Sequence, residues 1–228
     1  EASPVNTVMM KGTRMRTLIL AAVIFAVIGC QTTPQRQVPT MPENEQGAQA
    51  MARGDYEAAI DYYEMWLEKY PQDADVFFER GRAYYQLEKY DYALEDFEKA
   101  VTYYPRNVAP MVYSCGALLA LDRYEDANEM VAAVVSHPMY PALAEYEMFL
   151  IALFEGTVIR VVDKKHSEAL EPLNRAVEIA NLHPAIFEHR GSPFIKRAAL
   201  YQRALCYLDI GKINACVADM EEYIVLSD

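Results

Sequence analysis

Four thiols, at Cys30, Cys115, Cys206 and Cys216, are the side chains in this 228-residue chain with the widest choice of chemistry. A cysteine can act as nucleophile, metal ligand, lipid acceptor or half of a disulfide, and its surroundings select among these. Cys115 stands among apolar residues where a small side chain packs, and reads as core. Cys206 and Cys216 flank the turn Asp209-Ile210-Gly211-Lys212 almost symmetrically. Either they bridge across a hairpin, which suits an oxidising compartment, or both pack as small core residues. His183 and His189, with Glu188 between them, are too few and too widely spaced for a metal site. His137 and His166 lie near turns and are expected to face solvent. No Gly-rich phosphate loop, G-x-S-x-G or H-E-x-x-H segment is present. The chain is therefore expected to be no enzyme, with no catalytic residue, no metal, no cofactor and no small-molecule substrate. Its net charge of −12 repels phosphate backbones, which sets nucleic acid aside.

Cys30 sits in a different setting. Lys11, Arg14 and Arg16 precede the uncharged apolar run 18–28, which is too short to span a bilayer comfortably but suits a signal segment. The run closes on Val27-Ile28-Gly29-Cys30. This segment resembles the lipobox of bacterial lipoproteins, with Val27 where that family more often has Leu. The resemblance implies that Cys30 is the lipid-attachment site and the mature N-terminus. It places the protein in the bacterial cell envelope, and Gln31 after the cysteine points to the outer membrane, facing the periplasm, where the host has two membranes. Residues 1–8 precede a start at Met9 or Met10 and are set aside. Residues 31–42, rich in Pro, Gln and Thr, read as a tether that holds the folded part off the membrane.

The rest is organised by a repeat. Gly54-Asp55-Tyr56-Glu57-Ala58-Ala59, Glu88-Lys89-Tyr90-Asp91-Tyr92-Ala93 and Asp122-Arg123-Tyr124-Glu125-Asp126-Ala127 follow one another at intervals of 34 residues. In the best copy Phe77, Gly81, Tyr84, Tyr90, Ala93, Phe97, Ala100 and Pro105 alternate large and small residues and end on proline. Gly47, Tyr56, Ala59, Tyr63, Trp66 and Pro71 take the same places one copy earlier. The third copy, with Met111, Cys115, Leu118, Tyr124, Ala127, Val131 and Val134, is looser. These residues resemble the tetratricopeptide repeat. Two antiparallel helices approach closely where one offers Gly or Ala and the other an aromatic ring, and such hairpins complete a core only by stacking.

The fold expected is all-α: a tetratricopeptide-type α-solenoid of about five antiparallel helix pairs, with repeats near 43–73, 74–107, 108–141, 142–181 and 197–228. In the fourth pair a first helix is expected over 142–155 and its partner over 167–180. For the β-branched run 158–162 between them, either the first helix extends or a loop forms. Residues 181–196, with Pro184, Gly191 and Pro193, read as a long loop, followed by helices over 197–208 and 213–225.

In this family the first helices of successive repeats line a concave groove. Carried over position by position, the resemblance places there Asp75, Phe78, Arg82, Tyr85 and Gln86, then Ala109, Val112, Gly116, Leu119 and Ala120, then Tyr146, Leu150, Leu153 and Phe154. This wall is apolar and aromatic, with Arg82 as an isolated charge. Its expected ligand is an amphipathic helix or extended peptide of another envelope protein, unless the insertion or the last helices fold back and fill it. The family's carboxylate clamp, which needs Lys and Asn at the groove positions, is absent: Asn44, Phe78 and Val112 stand at position five. The chain is thus expected to be a membrane-anchored interaction scaffold. It is similar to small envelope lipoproteins of this repeat type, among which are adaptors for peptidoglycan hydrolases and pilotins that assemble outer-membrane secretins for type IV pili.

Overall fold

A computed structural model of the protein describes residues 42–185 and 193–226. The signal segment, Cys30 and the tether up to Met41 lie outside these residues. Among the described residues the chain forms ten α-helices that pair in order: α1 (Glu43–Arg53) with α2 (Tyr56–Lys69), α3 (Ala74–Gln86) with α4 (Tyr90–Tyr103), α5 (Ala109–Ala120) with α6 (Tyr124–Ser136), α7 (Glu145–Val158) with α8 (His166–Leu182), and α9 (Pro193–Asp209) with α10 (Ile213–Val225). Each pair packs on the next, giving the five-hairpin solenoid the repeat implied. None of these helices is long and apolar enough to cross a membrane.

The hairpin turns share one backbone device. A left-handed residue stands in each: Gly54, Glu88, Asp122, Lys164 and Gly211, with φ between 55° and 76°. In four of them the following N–H reaches back five residues to the first helix: Asp55 to the Ala50 carbonyl (3.0 Å), Lys89 to Tyr84 (2.9 Å), Arg123 to Leu118 (2.9 Å) and Lys212 to Tyr207 (2.8 Å). This arrangement satisfies carbonyls left open at the helix end. Second helices start on local caps where the sequence supplies one, as at Asp55, whose carboxylate accepts from the Ala58 N–H. Asp73 does the same for α3 and also accepts from Trp66 Nε1 at 2.8 Å, tying α2 to the next hairpin.

Close approach within a pair rests on glycine opposite a bulky side chain. A Cβ on Gly81 would stand 2.6 Å from Cε1 of Phe97, and one on Gly156 would stand 2.5 Å from Cγ of Leu173. Gly47 meets the ring of Tyr63 in the same way. Phe97 and Leu173 are wholly buried as a result. Two hairpins add an internal ion pair with identical spacing. Arg80 on α3 grips Asp96 on α4 through Nε (2.7 Å) and Nη2 (2.8 Å). Arg203 on α9 grips Asp219 on α10 through Nε (2.9 Å) and Nη2 (2.6 Å). Both aspartates are buried.

Two boundaries differ from the sequence expectation, and one alternative it left open is decided. The chain after α6 forms a 3-10 turn at Tyr140–Ala142, so α7 begins at Glu145 rather than 142. Helix extension, not a loop, describes the run at 158–162: α7 continues to Val158, which is buried, and passes into a π-helical turn, Ile159–Asp163. Burial of the apolar side chains outweighs the low helix propensity of β-branched residues. Helix also takes both ends of the stretch expected as a loop over 181–196. α8 runs to Leu182, and α9 starts at Pro193, where a proline costs no hydrogen bond because first-turn N–H groups have no helical partner. Cys206 and Cys216 are free thiols, Cys206 buried and Cys216 partly so.

Candidate partner-binding faces

Successive first helices α3, α5 and α7 lie side by side, and their facing side chains determine what the concave wall offers. Tyr113 is its hub. The rings of Phe78 and Tyr85 approach it edge-on, at 5.4 and 6.2 Å between centroids, and Phe97 approaches at 5.9 Å. Such geometries match the positive edge of one ring to the negative face of another. The Arg82 guanidinium lies 5.8 Å from the Phe78 centroid and 5.6 Å from that of Tyr113. Its Nη1 also donates to both carboxylate oxygens of Glu79, each at 2.9 Å. Arg82 is therefore not the isolated charge its position suggested, because Glu79 one turn earlier neutralises it. Burial among these rings pushes the Tyr85 hydroxyl up to about 12.

The carried-over groove residues divide by accessibility. Asp75 and Gln86 are exposed, and Phe78, Arg82, Tyr85 and Leu119 are half-buried. Val112, Tyr146 and Leu150 are buried, at 0%, 9% and 7% exposure. Gly116 explains part of this closure: a Cβ there would stand 2.7 Å from the Tyr85 hydroxyl and 3.0 Å from Phe154 Cζ. Residues of three neighbouring first helices thus converge over Gly116. The accessible strip is a row of partly covered rings edged by Asp75, Gln86 and Leu119. Cys30 lies outside the described residues. Tyr113 was missed in the sequence reading because the same place in the two earlier copies holds Glu79 and Glu45, so the repeat gives no aromatic residue there; it is 7% exposed. The run of aromatic residues at 77, 78, 84, 85 and 113 was the available signal.

A second concavity opens on the other side of the sheet of hairpins, between α4 and α6 over α5. It encloses about 640 Å3 and is lined by Leu94, Phe97, Val101, Met111, Leu118 and Met130, with Glu98, Glu129 and the Arg123–Asp126 pair on its rim. The repeat pattern gives no sign of it. Among the described residues no group of three or more His, Cys, Asp or Glu is placed to hold a metal ion.

The tetratricopeptide-repeat family model matches residues 46–112. Solved structures with the same architecture include MamA (41-end) from Desulfovibrio magneticus RS-1, with 16% identity, 81% of this chain and 93% of that chain covered, and a TM-score of 0.59. YrrB, described as a TPR protein with an unusual peptide-binding site, has 17% identity, 84% and 88% coverage and a TM-score of 0.56. A further MamA crystal structure has 15% identity, 79% and 94% coverage and a TM-score of 0.56. No curated protein sequence matches the chain. At these identities the likeness is one of fold: the described part is a tetratricopeptide-type α-solenoid, an architecture suited to protein–protein interaction.

Proposed function

We propose that this chain is a non-catalytic scaffold of the bacterial envelope, anchored through lipid on Cys30, that holds a peptide or helix of another envelope protein along the first-helix face. The observation that carries this reading is the pair of half-buried rings Phe78 and Tyr85, set around the buried Tyr113 and bordered by Asp75, Gln86 and Leu119. Rings in a rigid wall lose little side-chain entropy on binding, and a half-covered ring gains apolar contact when a ligand side chain lies against it. A peptide-binding site in the solved solenoid YrrB supports a peptide as the ligand class. The lipid anchor rests on the residues 27–30 and their basic and apolar lead.

Phe78 and Tyr85 brace Tyr113, so truncating them would also loosen α5. The informative variant is Asp75→Lys with Leu119→Glu, which changes the rim and leaves the rings in place. Cross-linked capture from solubilised envelopes is expected to recover one partner with wild type and lose it with this variant. Recovery unchanged by the variant would remove the concave face from consideration. For the anchor, palmitate labelling is expected in the wild type and absent in Cys30→Ser, with the variant released from the membrane fraction. A secretin subunit as the captured partner would identify a pilotin-like role; a cell-wall hydrolase would identify an adaptor.

A further inference from the structure

The last hairpin presents a face that the second hairpin keeps partly covered. The two hairpins correspond residue by residue, since Arg203 and Asp219 repeat the Arg80–Asp96 pair at the same separation. In that correspondence Tyr201 and Leu208 take the places of Phe78 and Tyr85, and Val217 and Ile224 those of Leu94 and Val101. In the second hairpin these positions are partly covered: Phe78 and Tyr85 meet Tyr113 of α5, and Leu94 packs against the main core. In the last hairpin, where no following helix occurs among the described residues, they are open. Exposures are 45% at Tyr201, 51% at Leu208, 54% at Ile213, 48% at Val217 and 57% at Ile224. A contiguous apolar surface of this kind marks an interaction site.

We propose that the α9/α10 face docks a second copy of this chain, tail to tail about a two-fold axis crossing the middle of α10. The apolar stripe of α10 consists of Ile213, Val217, Met220 and Ile224, separated by four, three and four residues. This spacing reads the same from either end, so an antiparallel partner α10 sets Ile213 against Ile224 and Val217 against Met220. Charges agree with the arrangement. Exposed Lys212 at the start of one α10 comes to the last turn of the other, beside exposed Glu221 and the negative end of the helix dipole. The chain's overall charge of −12 opposes association weakly, since repulsion between distant surface charges is screened beyond about 8 Å at physiological ionic strength.

Head-to-tail stacking lacks such a match. The first described helix is α1, whose exposed positions are Glu45, Ala48, Gln49, Ala52 and Arg53. An apolar face meeting a polar one gains little, whereas two copies of the apolar face satisfy each other, as a two-fold interface requires.

The test is sedimentation equilibrium of the full chain in detergent, from about 1 µM to about 100 µM, a range that spans weak and moderate association. Wild type is expected to sediment with twice the protein mass. Val217→Glu with Ile224→Glu is expected to remain monomeric throughout while keeping its helical circular dichroism. The concave-rim variant, Asp75→Lys with Leu119→Glu, is expected to stay dimeric, which separates this interface from the partner-binding reading. A wild-type monomer at the highest concentration, or a dimer that survives the charged α10 variant, would overturn the proposal.

Discussion

Removing the carboxylate of Asp96 tests how the hairpins are held. Its side chain is 2% exposed and accepts from Nε and Nη2 of Arg80, whose own side chain is 15% exposed. Asp96→Ala leaves the guanidinium in a half-dry site, with Glu64 4.0 Å away at its far side and the rings of Phe77 and Tyr84 at 5.6 and 5.9 Å. Breaking one side of a buried ion pair costs about 3–5 kcal/mol, because the remaining charge loses its compensation. Glu64 and the two rings recover part of this, so the expected loss is at the lower end, about 3 kcal/mol. In a domain of this size about 3 kcal/mol lowers Tm by about 6–12 °C. Arg80→Met alone strands the carboxylate and is expected to cost a similar amount. Arg80→Met with Asp96→Leu removes both charges and is expected to fall within about 1 kcal/mol of wild type. Urea denaturation followed by circular dichroism measures all three, and the cycle isolates the coupling. A loss below about 1 kcal/mol for Asp96→Ala, or a double variant no better than the singles, would show that the pair is incidental to packing.

Further outcomes follow from the same geometry. Gly81→Ala is expected to destabilise by about 1–3 kcal/mol despite alanine's better helix propensity, because the buried Phe97 ring cannot yield 2.6 Å from the new Cβ; thermal melts measure this. Gly211→Ala, with open space around it but φ at 76°, is expected to cost about 1 kcal/mol, while Glu88→Gly at the matching turn removes a strained left-handed residue and does not destabilise. With Cys30 replaced, one thiol, Cys216, is expected to react promptly with a disulfide reagent at pH 8. Burial raises Cys206 to about 11 and Cys115 to about 12, so both stay protonated; prompt reaction of two or more thiols would contradict this packing. Burial likewise raises Tyr85 from 10 to about 12, so its contribution is intact below pH 10 and is lost as pH rises toward 12. Tyr85→Phe is expected to lose less Tm than wild type between those values.

The hairpins and their order were legible in the residues themselves. The interval of 34, the glycines facing aromatic rings at Gly47 and Gly81, and the turn positions 54, 88 and 122 determine local helices and how closely two of them approach. These are short-range constraints, and one sequence suffices to state them. What the pattern did not reveal depends on neighbouring repeats. Arg82 reads as a lone charge until Glu79 and Tyr113 are seen beside it, and Val112, Tyr146 and Leu150 read as groove until adjacent first helices close over them. The passage of α7 into a π turn was settled by burial of Val158 against partners distant in sequence. Side-chain periodicity determines which face of each helix is apolar; only the stacking of one hairpin on the next decides which of those faces stay open to another protein, as the contrast between Tyr85 under α5 and Leu208 in the last described hairpin makes plain.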